Sequence, residues 1–72
     1  MAETPAESAA RATRYLMRRA LKASLATLEK GSGHPYVSLV TVATEADGAP
    51  ILLLSSLAVH TRNLMADSRA SL

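Results

Sequence analysis

Residues 31–72 read GSGHPYVSLVTVATEADGAPILLLSSLAVHTRNLMADSRASL. Tyr36 to Thr44 is rich in Val and Thr, side chains that fit a pleated strand. Its apolar residues fall at odd and even positions alike, so both faces of this strand are expected to be covered. Glu45-Ala46-Asp47-Gly48 carries the Asp-Gly signal of a hairpin turn. Pro50 marks the entry to the next strand, where its missing N–H does least harm, and Ile51 to Ser56 is expected to pair back antiparallel. Leu57 to Asp67 reads as a short helix, with Leu57, Thr61, Leu64 and Met65 at helical spacing. Ser68 to Leu72 resumes alternation and is expected to open a further strand.

Upstream, Gly31-Ser32-Gly33-His34-Pro35 is a turn. The preceding Leu21–Lys30 segment, LKASLATLEK, supports two readings. Its residues are good helix formers, but Leu21, Ala23, Leu25 and Thr27 also alternate against Lys22, Ser24, Ala26 and Leu28. A hairpin with the strong strand that follows favours the extended form. Further upstream, Thr4 suits a helix cap, Pro5 the first helical position, and Glu7 completes a capping box. From about Pro5 to Ala20 the pattern is amphipathic. Ala9, Ala12, Leu16 and Ala20 share one face, while Arg11, Arg14, Arg18 and Lys22 share the other, with Glu7 placed to pair with Arg11. Met1 to Thr4 is expected to be a flexible tail.

Composition narrows the function classes. At 72 residues the chain allows one small domain. It has no cysteine, which excludes disulfides and thiolate metal sites. With two Tyr and neither Phe nor Trp, its core must be Leu, Val and Ala, which bury little area each. A formal charge of +2 and so few aromatics disfavour a nucleic-acid partner. The acidic, polar start MAETPAESAA is unlike a secretory signal. The apolar run Ala49 to Leu54 is far short of the roughly 20 residues that span a bilayer. The expected location is cytoplasmic, with no membrane association.

The best candidate for chemistry is Ser55-Ser56 with His60-Thr61-Arg62. Two hydroxyls end a strand, and a helix start follows that carries an imidazole, a hydroxyl and a guanidinium. Free N–H groups at a helix N-terminus and a two-pronged Arg together suit a phosphate. A plainer reading makes Ser55 or Ser56 the helix cap and His60-Thr61-Arg62 a solvated face. Thr41 sits mid-strand, where it could face a polar site or simply fill the strand. His34 and His60 have no carboxylate at metal-ligand spacing, so no metal site is expected. No residue has the setting of a general acid or base, and no glycine-rich nucleotide loop is present. The cationic helix face could meet an acidic partner; a solvated face is the commoner explanation.

Taken in order, GHPYVSLVTVAT, LLLSSLAVHTRNLMAD and SRASL resemble the N-terminal half of the FMN-binding split-barrel family. The likeness is to pyridoxamine 5′-phosphate oxidase and its relatives, and most to the branch related to haem-utilisation proteins. The resemblance covers about Leu21 to Leu72 and also favours a strand over Leu21–Lys30. It implies an antiparallel split β-barrel that dimerises around FMN. Thr41 would then lie on a cofactor-lining strand, Ser55 and Ser56 near the phosphate or ribityl chain, and His60, Thr61 and Arg62 at the phosphate. The oxidases' Arg and Lys on the strand at Tyr36 to Thr41 are missing here, as is their Arg-Lys pair at the helix start, which argues against pyridoxamine phosphate oxidation.

The expected architecture is therefore a mainly β chain in the order helix-β-β-β-helix-β, a partial split barrel. Residues 1–4 form the tail, 5–20 the amphipathic helix, and 21–72 the N-terminal part of a truncated barrel. The expected function is FMN binding within a flavin-dependent oxidoreductase or a haem-utilisation protein, with haem as the alternative ligand and a homodimer or higher oligomer as the working form. The alternative is a non-enzymatic interaction module that completes its β-fold by oligomerisation.

Overall fold

The computed structural model describes residues 2–72; Met1, the first residue of the expected tail, lies outside them. Helix α1 spans Pro5–Arg19, and strands β1, β2 and β3 span Lys22–Leu28, Pro35–Thr44 and Pro50–Leu53. Helix α2 spans Val59–Ala66. The strands form one antiparallel sheet in the order β1-β2-β3, an open section of a split barrel. Ser71 adds a single antiparallel bridge to Ala26 on the free side of β1, so the expected last strand is reduced to one paired residue.

Each element has a local cause. The Thr4 hydroxyl accepts from the Glu7 N–H at 3.1 Å, and the Glu7 carboxylate accepts from the Thr4 N–H at 3.3 Å. This capping box, with Pro5 in the first turn, starts α1. It also turns the Glu7 carboxylate back to the cap, so Arg11 pairs with Glu3 at 2.8 Å and not with Glu7. Within Leu21–Lys30, Lys22–Leu28 is extended because β2 offers it a complete partner, from Lys22↔Thr41 to Leu28↔Pro35. In the β2–β3 hairpin Gly48 has φ +94°, a conformation open to glycine at little cost, and its N–H donates to the Glu45 carbonyl at 2.9 Å.

Residues directly opposite across the ladder share a face. Ala23, Leu25 and Thr27 of β1 therefore face the same way as Tyr36, Ser38, Val40 and Val42 of β2. On this inner face Leu25, Val40 and Val42 form the buried apolar core, joined by Thr27 and by Asn63 of α2. Both helices pack on this side, α2 through the Asn63–Thr27 bond and α1 through Leu16 and Met17 near Ala23 and Val42. Helix α1 covers it loosely: none of its residues is buried, and Leu16, Met17 and Ala20 border an apolar groove of ≈ 250 Å³ above Ala23 and Val42.

The outer face carries Val37, Leu39, Thr41 and Ala43 of β2 with Ile51 and Leu53 of β3. Contrary to the expectation that both faces of β2 are covered, Val37 is 63%, Leu39 68% and Leu53 84% exposed. Apolar residues on both parities need two covering layers, and the described residues supply only one.

A candidate cofactor-binding ledge

Strand β3 ends at Leu53, short of the expected Ser56, because Ser55 is recruited into a turn. Its carbonyl accepts from the Ala58 N–H at 3.2 Å and from the Thr61 hydroxyl, and its hydroxyl accepts from the Leu57 N–H at 3.2 Å. These bonds steer the chain off the sheet into α2. The helix starts two residues later than expected, at Val59. Its N-cap is Ala58, with no side-chain cap. Neither Ser55 nor Ser56 therefore fills the cap role, and no side chain occupies the N–H groups of the first turn.

Thr41 is exposed on the outer face, opposite Leu53, and Ser55 lies two residues further along the same chain direction. Thr41 and Leu53 on the outer face, with the Ser55 turn that follows β3, form a ledge at the sheet edge, from which α2 departs toward the inner face. Ser56 is exposed on the same turn. Thr61 belongs to the ledge, but its hydroxyl is already spent on the Ser55 carbonyl.

His60 and Arg62 are not brought together. Two residues apart on a helix, they diverge by about 200°. His60 turns toward the sheet with Asn63, Leu64 and Asp67, the less exposed residues of α2 and its cap. Its Nε2 is buried with no hydrogen-bond partner, as is the Ser38 hydroxyl on the inner face of β2. Arg62 turns outward with Val59, Met65 and Ala66. The apolar spacing expected for this helix is displaced accordingly: Leu57 and Met65 are each 84% exposed.

Asn63 is a residue that apolar periodicity passes over. It is 1% exposed. Its Nδ2 donates to the Thr27 hydroxyl at 3.1 Å, and its Oδ1 accepts from the Lys30 N–H at 3.0 Å. The signal in the sequence was its place beside His60 and Leu64 on one helical stripe. Through Asn63 the β1–β2 turn is tied to α2, and Lys30 comes to line a groove with Arg62. Among the described residues no group of three or more His, Cys, Asp or Glu could hold a metal ion, and no helix is long and apolar enough to cross a membrane.

An open antiparallel sheet with a helix following its third strand defines a section of a split-barrel architecture. The sequence profile of the CREG β-barrel family matches residues 4–72, and the chain belongs to that family. It is similar to the chloroplastic non-canonical heme oxygenase HOZ of Arabidopsis thaliana, with 52% identity over 44 residues, 61% of this chain and 14% of that protein. One solved structure superposes with a TM-score of 0.82 at 43% identity, covering 88% of this chain and 53% of its own. The crystal structure of a protein of unknown function from Agrobacterium tumefaciens superposes with a TM-score of 0.80 at 35% identity, covering 88% of this chain and 27% of its own. The chain thus spans between about a seventh and about half of the length of these relatives.

Proposed function

We propose that the chain supplies the phosphate and ribityl side of an FMN site in a split-barrel protein that works as a homodimer or higher oligomer. The observation that carries this reading is the ledge itself. An exposed apolar sheet face bearing Val37, Leu39 and Leu53 adjoins the Ser55 turn, from which the uncapped start of α2 follows. A flavin has the matching polarity, with a flat apolar ring system at one end and a phosphate at the other. Thr41 would face the ring or ribityl chain. Ser55, Ser56 and the first-turn N–H groups of α2 would receive the polar chain, with Arg62 as the outward-facing cation of that helix. His60 is turned to the opposite side of the helix, so its part would be to seat α2 and not to bind phosphate.

Bound FMN would supply redox chemistry that the chain's own side chains cannot, and the protein's part would be to bind, orient and exclude water. A flavin-dependent oxidoreductase is the activity that fits this role. Haem is the second reading, and the specific support for it is the similarity to a heme oxygenase. A broad apolar face would also receive a porphyrin, but the ledge of hydroxyls and N–H groups favours a phosphate-bearing ligand.

The test is reconstitution. The purified protein is incubated in parallel with FMN and with haemin, then desalted. Retained flavin absorbance with a rise in Tm supports the FMN reading. A retained Soret band without retained flavin favours haem. Retention of neither, in a protein shown to be folded by circular dichroism, counts against both and leaves the interaction module as the better account.

A further inference from the structure

We propose that Lys30 and Arg62 form the two sides of an anion-binding groove that takes a phosphate monoester or inorganic phosphate. The groove is an open depression of ≈ 430 Å³ between the β1–β2 turn and α2, lined by Glu29, Lys30, Gly31, Val59, Arg62 and Asn63. A neighbouring depression of ≈ 320 Å³ is also lined by Lys30 and Arg62, with Met65 and Ala66, so both cations stand at the junction of the two.

Three features separate this groove from an ordinary solvated patch. First, neither cation has a carboxylate partner: among the described residues the ion pairs are Arg11 with Glu3 and Arg69 with Asp67. Like charges facing one groove repel, and a bound dianion would relieve that repulsion. Second, the spacing of their backbones is fixed. The Asn63 side chain, 1% exposed, accepts from the Lys30 N–H at 3.0 Å across 33 residues of sequence, which holds the Lys30 main chain one residue from Arg62 on α2. Third, the turn on the rim leaves its main chain open. Gly31 has φ +95°, and a Cβ placed there would meet nothing within 4 Å, so a ligand oxygen can approach the main chain. Glu29 is the one acidic side chain on the rim. Its Oε1 is engaged by the Ser32 hydroxyl at 2.7 Å, which holds the carboxylate on the turn.

A planar guanidinium offers paired donors and an ammonium offers a compact point charge, and this combination suits a tetrahedral dianion better than a single carboxylate. The groove does not depend on the flavin reading. If FMN is the ligand, Lys30 becomes a phosphate contact that no motif in the sequence suggests; if not, the groove still takes phosphate.

The experiment is a titration of the isotope-labelled protein with inorganic phosphate, followed by amide and Arg Nε–H chemical shifts, with sodium chloride at matched ionic strength as control. Saturating shifts confined to Lys30, Gly31, Val59 and Arg62, weakened on the order of tenfold by Lys30→Gln or Arg62→Gln, support the proposal. Shifts reproduced by chloride, or an affinity unchanged in both variants, overturn it. Parallel titrations with FMN and riboflavin identify the source. An FMN affinity that exceeds riboflavin's and falls in Lys30→Gln assigns the groove to the flavin phosphate. Phosphate binding without FMN binding supports the groove and sinks the flavin reading alone.

Discussion

The Asn63 amide of α2 donates to the hydroxyl of Thr27 in β1 at 3.1 Å, deep in a molecule whose other buried residues are Leu25, Val40 and Val42. With so small an apolar core, the docking of α2 depends on polar registration as much as on burial. Asn63 also accepts from the Lys30 N–H, so one side chain fixes helix, strand and turn together.

Replacing Asn63 with Ala should therefore cost more than its lost volume. It removes the acceptor of the Lys30 N–H and the donor to the Thr27 hydroxyl, which keeps only its 3.5 Å bond to the Tyr36 carbonyl, at about 1–3 kcal/mol for the buried hydrogen bonding lost. Urea denaturation should show that loss. A double-mutant cycle with Thr27→Val should recover part of it, because removing both polar partners leaves fewer orphans. Equal and additive losses would contradict the coupling.

The contrast between α1 and α2 shows what the sequence made legible. For α1, cap and boundary were readable from Thr4, Pro5 and Glu7, because the signals lie within a few residues of one another. For β1 the extended form was readable only through its partner. Residues 55–61 resisted reading because the Ser55 carbonyl, whose bonds end β3 and start α2, carries no residue-type signature. The site was partly readable for the same reason. Serines and cations in one segment can be listed from the sequence, but the roughly opposite orientations of His60 and Arg62 follow from where the helix starts. Lys30 enters the groove through a contact 33 residues long, which no local pattern encodes.

Asp67 gives a pH signature. Its carboxyl is pulled down to about 2, chiefly by the hydrogen bond from the Arg69 side chain and then by the Arg69 N–H. A carboxylate whose pKa is lower in the folded state stabilises that state above its unfolded value and loses this contribution as pH falls. The contribution is thus present above about pH 4 and fades toward pH 2. Glu7 is lowered in the same direction by its bonds with Thr4. Thermal unfolding between pH 5 and 2 should show a shallower decline in Asp67→Asn than in the parent. A parallel decline would exclude the Asp67–Arg69 contact as a source.

The outer sheet face predicts association. Val37, Leu39 and Leu53 are each more than 60% exposed and lie on adjacent strands, a contiguous apolar patch of the kind that marks an interaction surface. Sedimentation velocity should show a dimer or larger species, and Leu39→Glu should shift it toward monomer without loss of far-UV dichroism. A monomeric parent would remove this face as the driver of assembly.

His60 and Arg62 should separate in function, since α2 points them in different directions. Arg62 is exposed beside Lys30, so Arg62→Ala should lower affinity for a phosphate-bearing ligand on the order of tenfold, as expected for one charge-assisted contact, and leave stability nearly unchanged. His60 buries an unpartnered Nε2, so His60→Leu removes an orphaned polar atom and should hold or raise Tm while sparing affinity. Fluorescence titration with FMN beside riboflavin, together with thermal melts of both variants, separates the two roles. A His60→Leu protein that folds as well as the parent but loses FMN selectively would return the imidazole to the ligand. The outward groove would then account for only part of the phosphate's environment.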